Sequence, residues 1–468
     1  MKSLIVAAAL CVLPGVASAA TLLEIYQQAI QSDPLIHEAE ARRLAALEAS
    51  PQARGVLFPQ VSFSGGYTES SFENPSAFFG DQLVDLDVES ETTDWTFTAR
   101  QTLFRWDQIV GLRQADKRVA RAEADREAAQ QDLIVRVTQR YFDVLAAEDR
   151  LRAIHANRTA IARQLEQAKQ RFEVGLIAIT AVQESQAAFD QAIADEILAK
   201  RQLATAREFL REITGEYISD LDAPGDDLPL NSPDPASESA WIDLALSQNL
   251  ALTSARLDER LARDEISSRR NGHYPTIDLV ARAGSTDSTD TRVIDGLGFP
   301  SIDSENTTDS ISIEFNVPLF SGGVTSSRVR EAVYLHRASM ENLQRVTRET
   351  ERQTRDAYLG VLSEISRVQA LEQAVESSRT ALEATEAGFD VGTRTIVDVL
   401  NSQFALFQAM TNYQQSRYDY ILNVMRLRQA AGTLQVQDLE ALEQFLIDRP
   451  TPEEEFAAEE AAEAAAEE

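Results

Sequence analysis

The helical stretch from about Arg105 to Phe172 carries apolar residues at Leu133, Val137, Tyr141, Val144, Leu151, Ile154, Ile161, Leu165, Ala168 and Phe172. Steps of three, four and seven make the seam of a coiled-coil-like helix. Between them stand Ala, Gln, Arg and Glu, which form helix well and tolerate water. At 1.5 Å per residue an unbroken helix of this span reaches roughly 100 Å, about three times a bilayer core. A globular domain has no room for it. The segment must be a rod standing in water against similar rods.

The chain is also written twice. Pro59 recurs as Pro275 and Phe104 as Phe320 at one offset; Tyr141 recurs as Tyr358, Gly175 as Gly392 and Gly215 as Gly432 at an offset one residue longer. The first copy spans residues 20–219 and the second 237–447. Residues 220–236, rich in Pro, Asp and Ser, read as an irregular linker. Each copy has a helix, two strands joined by a loop, a very long helix, a Val-Gly break and a shorter helix. In the first copy "TLLE", Thr21 to Glu24, is a capping box.

Residues 1–19 combine Lys2, an apolar stretch from Leu4 to Leu13 and the small-residue site Ala17-Ser18-Ala19, as a secretory signal does. The one cysteine, Cys11, lies inside it, so the mature chain is expected to have no disulfide, thiolate metal site or lipid anchor. After the signal no window of about 20 apolar residues occurs, which excludes a spanning helix. A net charge of −31 argues against nucleic acid, whose phosphates need a basic surface. Residues 448–468 form an acidic tail with little to bury, expected to be disordered.

The strand pairs alternate. Val61, Phe63 and Tyr67 share one face against Ser62, Ser64 and Gly66; Trp95, Phe97, Ala99 and Leu103 oppose Thr96, Thr98 and Arg100. The second copy sets Ile277, Leu279 and Ala281 against Asp278 and Arg282, then Ile311, Ile313, Phe315 and Val317 against Ser312, Glu314 and Asn316. An ordinary half-buried sheet also alternates this way. Three features favour a membrane. Each strand has the length of an oblique bilayer crossing; the loops, roughly 73–92 and 288–308, are long and acidic; and the exported chain offers no other core for these strands to cover. A sheet in lipid must close, and four strands are too few, so several chains must share one barrel.

Nothing suggests an enzyme or a cofactor. His37, His155, His273 and His336 are scattered without metal-ligand spacing, and neither a phosphate-binding loop nor a nucleophile elbow is present.

The duplicated unit, with "RFEVGLIAIT" (171–180), "GHYPTIDL" (272–279) and "EAGFDVGTRTIVDVLNSQ" (386–403), resembles the TolC family of outer-membrane channel-tunnels over the mature chain to about residue 447. The resemblance implies an α+β membrane protein of the Gram-negative outer membrane. Three chains, four strands each, would share a 12-stranded β-barrel embedded in outer-membrane lipid and continuing into a long periplasmic coiled-coil α-barrel. Such homotrimers are passive exit channels of tripartite efflux pumps and type I secretion systems, conducting drugs, other small molecules and proteins. Their partners are a periplasmic adaptor (membrane fusion) protein and an inner-membrane transporter of RND, ABC or MFS type. A periplasmic coiled-coil adaptor without a pore is the alternative; it explains the rods and leaves the strands unexplained.

The family assigns roles residue by residue. The hairpin tips, Val174, Gly175 and Leu176 with Val391, Gly392 and Thr393, are expected to dock the adaptor. Asp398 would ring the narrow end three times, each carboxylate raising the pKa of the others and attracting cations, with Asn401 one turn on where many members carry a second acid. Ala181 stands at the matching place in the first copy, on the outer coil. Arg394 with Thr180, and Glu386 with Gln164, are available as entrance latches. A third family link joins a Tyr to an Asp; here those positions are Phe389 and Ala181, which implies a closed state held by fewer hydrogen bonds.

Overall fold

The computed structural model describes residues 20–79, 82–225, 227–294 and 297–467. The expected signal, residues 1–19, lies outside the described residues. Among the described residues two compact units form, one from 20–40, 125–252 and 346–467, the other from 41–124 and 253–345. Each sequence copy contributes to both units. The amphipathic elements of one copy cannot bury their apolar faces alone, so the copies complete each other's cores.

In the first unit, helix α1 (Leu22–Ser32) begins at the expected capping box: Thr21 Oγ1 accepts the Glu24 N–H and Glu24 Oε2 accepts the Thr21 N–H, both at 3.2 Å. The long helix α2 runs unbroken over Trp106–Glu173. Its seam is buried at Leu133, Val137, Tyr141, Val144, Leu151, Ile161, Leu165 and Ala168, while Phe172 in the last turn is exposed. Helix α3 (Ile179–Thr214) returns from it; α4 (Val324–Asp390) and α5 (Ile396–Ala431) repeat the arrangement.

The core joins Leu22, Ile25 and Tyr26 of α1 to Leu133–Leu151 of α2, Leu203 and Leu210 of α3, and Tyr418, Ile421 and Met425 of α5. Phe142 stacks on Tyr418 with ring centroids 5.2 Å apart. Tyr141 is fully buried, and its hydroxyl donates to the Asp222 carbonyl at 2.6 Å, stitching the linker to the core. Burial pushes that phenol well above its ordinary value, so it stays a donor. Ala223 and Pro224 pair with Ile447 and Leu446.

The acidic tail corrects the expectation of disorder: Pro452–Glu467 is a helix, α6. Thr451 supplies the cap that composition alone does not reveal, with Thr451 N–H donating to Glu454 Oε2 at 3.1 Å and Glu454 N–H to Thr451 Oγ1 at 3.4 Å. Basic side chains of α2 and α3 neutralise part of its charge.

The second unit carries the antiparallel sheet β1 (Gln60–Phe79), β2 (Gln82–Phe104), β3 (Thr276–Ile294) and β4 (Ile302–Asn316), paired in that order. Val61, Ala99, Ala281 and Ile311 lie side by side across all four strands, as the alternation requires. Phe63, Tyr67, Phe97, Ile313 and Phe315 on this face are exposed, and Phe63 packs on Phe97 at 4.7 Å. The opposite face is ion-paired: Arg100 bonds Asp278 at 3.1 Å and Glu314 at 3.4 Å, and Arg282 bonds Glu314 at 2.9 Å.

The long loops expected at 73–92 and 288–308 are mostly strand. β1 and β2 stay paired to Phe79 and Gln82, and β3 reaches Ile294 before β4 begins at Ile302. In β2, Val84, Leu86 and Val88 alternate with Asp85, Asp87 and Glu89, and Phe72 pairs with Val88, so the strand pattern continues into this hairpin. At about 3.3 Å per residue these strands far exceed the nine to eleven residues a membrane crossing needs. Among the described residues nothing pairs with the outer edge of β1 or β4.

Candidate functional site at the two hairpin tips

Both hairpins turn at a glycine with φ +78°, Gly175 and Gly392. A Cβ at either would meet no atom within 4 Å, so the turn's backbone alone demands glycine there. Gly175 N–H donates to the Phe172 carbonyl at 2.9 Å and Leu176 N–H to the Arg171 carbonyl at 2.8 Å. In the second tip Gly392 N–H reaches the Phe389 carbonyl at 3.0 Å and Thr393 N–H the Gly388 carbonyl at 2.8 Å. Closing on backbone bonds leaves the side chains outward: Val174, Leu176 and Val391 are 71%, 73% and 75% exposed.

The two copies diverge just past the turn. Helix α5 starts with a capping box in which Asp398 Oδ2 accepts from Thr395 N at 2.9 Å and from Thr395 Oγ1 at 2.8 Å, while Asp398 N–H donates to Thr395 Oγ1 at 3.3 Å. The matching residues of α3 are Ala178 and Ala181, without a side-chain cap. The asymmetry therefore has a local cause: Asp398 is the third residue of a helix N-terminus that its own threonine begins. The Thr395 bonds, aided by Arg394, hold its carboxyl below the usual range. Within one chain this runs opposite to the raised value expected from a ring of facing carboxylates. Asn401 lies one turn further on, exposed.

The expected latches are not joined within the chain: among the described residues no hydrogen bond links Arg394 to Thr180 or Glu386 to Gln164, and Gln164 Oε1 is buried without a partner. Arg394 instead folds over Gly388, where an added Cβ would stand 2.8 Å from its Cγ. Gln164 and Glu386 both line a cavity of about 340 Å³, together with Arg163, Phe389, Val399 and Gln403.

What does bridge the hairpins is Arg171, the last basic residue of α2. It donates to Asp390 Oδ1 at 2.9 Å, and its guanidinium carbon lies 4.8 Å from the centre of the Phe389 ring. Reading the sequence missed this pair, although a basic and an acidic residue stand just before the two matched Val-Gly breaks. It missed the Thr395 cap as well, although "TIVD" has the same spacing as "TLLE".

The family model for outer membrane efflux protein matches residues 25–216 and again 241–433, one match for each sequence copy. The chain belongs to the outer membrane efflux protein family. It is 39% identical to outer membrane protein TolC of Vibrio cholerae, over 93% of this chain and 96% of that one. It is 31% identical to the alkaline protease secretion protein AprF of Pseudomonas aeruginosa, over 92% and 88%. Among solved structures, outer membrane protein VceC from Vibrio cholerae shares the fold with a TM-score of 0.70 at 20% identity, covering 88% of this chain and 96% of that one. This family member is thus an outer-membrane efflux channel, with TolC-like strands in the membrane and helices in the periplasm. Its helix α6 lies beyond the matched segments.

Proposed function

We propose that three copies of this chain close a 12-stranded barrel and a helical tunnel whose periplasmic mouth is ringed by Asp398, backed by Asn401 and held shut by the Arg171–Asp390–Phe389 bridge. The two unpaired strand edges carry this reading. Each exposes backbone groups that lipid cannot satisfy, so the edge of β1 must meet β4 of a neighbour. The exposed apolar tips at Val174, Leu176 and Val391 take an adaptor by burying a small hydrophobic surface, and an inner-membrane transporter of RND, ABC or MFS type then chooses the cargo. Small molecules such as drugs are the main cargo; the relative AprF, named for protease secretion, supports proteins as a second class.

At the mouth, three carboxylates kept ionised by their caps attract cations and disfavour anions. The test is the reversal potential of the full-length protein in planar bilayers across a KCl gradient. Preference for potassium that disappears in Asp398→Asn supports the ring; equal permeability to chloride and potassium in the unaltered protein rejects it. A mature chain that is folded and monomeric in buffer without detergent rejects the shared barrel.

A further inference from the structure

We propose that α6 is a charge-held strap that clamps α2 to α3 and α5, and that high salt or loss of its carboxylates releases it and loosens the coil beneath. This rests on contacts that include neither Asp398 nor the hairpin tips, and it stands whether or not the constriction reading holds.

The strap is anchored along its first two turns. Arg449 pairs with Asp149 of α2 at 2.6 Å, and Asp149 in turn accepts the hydroxyl of Tyr418 on α5 at 2.5 Å. Arg152 of α2 reaches Glu455 at 2.7 Å and the Pro450 carbonyl at 2.5 Å. Arg207 of α3 is shared, donating to Glu453 of α6 at 2.8 Å and to Glu148 of α2 at 3.1 Å. Phe456 stacks on His155 with ring centroids 3.7 Å apart, and Glu459 stands 3.7 Å from the same imidazole. One guanidinium thus joins three helices, and one apolar ring seals the row.

The chemistry makes this clamp conditional. The side chains of Arg207 and Glu148 are 7% and 4% exposed, so their pair is shielded from salt, whereas Glu453 and Glu459 are more than half exposed and are screened. Glu453 faces Arg207, Arg152 and Glu148. Partial burial raises its pKa, but the bond from Arg207 outweighs this and holds it below the usual range. Its contribution to docking is therefore present above the ordinary carboxylate range and is lost as pH falls through the depressed value. Glu148 faces Arg207, Arg152 and Glu453. Burial pushes it up to about 7 against the pull of both arginines, so as pH rises through about 7 it ionises beside Glu453 and opposes docking. Docking is strongest in mildly acidic solution at low salt.

Hydrogen exchange on the full-length protein in detergent tests this. At pH 6 and low salt, amides within 452–459 are expected to be protected. In E453Q/E455Q, or in the unaltered protein in 1 M salt, their exchange rises about tenfold, the sum of two or three screened pairs. Exchange over 148–158 and 196–207 rises with it, whereas Ala461→Gln on an exposed position changes neither. Tail amides exchanging at the rate of an unstructured chain in the unaltered protein overturn the strap. So does a freed tail over a coil that keeps its full protection.

Discussion

Removing Arg171 probes the ion-paired bridge between the two hairpin tips. Arg171→Gln retains a side chain of similar length but loses the ion pair to Asp390 and the cationic contact with Phe389. Asp390 is 64% exposed, so the ion pair belongs in the surface class, worth about 0.2–1 kcal/mol. The contact with the aromatic ring adds about 0.5–1 kcal/mol. Together these give about 1–2 kcal/mol per chain, or about 3–6 kcal/mol if three bridges part in one opening event. An opening equilibrium shifted by that amount changes roughly a hundredfold to ten-thousandfold. Single-channel recording in planar bilayers reads this as open-state lifetime and conductance. Asp390→Asn should show only the ion-pair share and should mimic the unaltered protein in 1 M salt, where that share is screened. A double-mutant cycle between positions 171 and 390 should return a coupling within the surface-pair range. Unchanged gating in Arg171→Gln, or no coupling in the cycle, refutes the bridge as a closure element.

Asp398→Asn keeps an acceptor for the Thr395 N–H, so cation preference should vanish while thermal unfolding stays the same. In the unaltered protein the depressed carboxyl should keep the reversal potential constant from neutral pH down into the ordinary carboxylate range, losing it only below; an earlier loss would mean that repulsion between copies outweighs the cap. Gly392→Ala and Gly175→Ala should each lower stability by about 1–2 kcal/mol through backbone strain alone, seen by calorimetry, and should weaken cross-linking to an adaptor at the tips. Tyr141→Phe removes the hydroxyl that holds the part-buried Asp222 carbonyl and should cost about 0.5–1.5 kcal/mol in thermal unfolding without altering conductance.

Local periodicity was legible because it depends on neighbours in the chain. The α2 seam from Leu133 to Ala168, the Thr21 capping box, the turns at Gly175 and Gly392 and the alternation through Phe63 and Phe97 all follow from spacings of two, three or four residues. Composition misled where a single cap decides: residues 452–467 look like a solvated acidic run until Thr451 and two basic partners, Arg152 of α2 and Arg207 of α3, are brought against them. The segments at 73–92 and 288–308 looked like loops because acidic residues, Asn74-Pro75 and the glycines dominate the pattern, although Val84, Leu86 and Val88 already alternate as a strand does.

A duplicated strand-and-rod unit, exported in expectation and unable to complete its own sheet, can be read from the residues alone, because helix and strand periods and the backbone's need for hydrogen bonds are properties of the chain. That each compact unit draws on both copies, that Asp398 caps Thr395, and that Arg171 rather than Arg394 reaches between the hairpin tips came from the folded chain. Those outcomes depend on which side chains meet across some two hundred residues of sequence, and separation along the chain carries no such information.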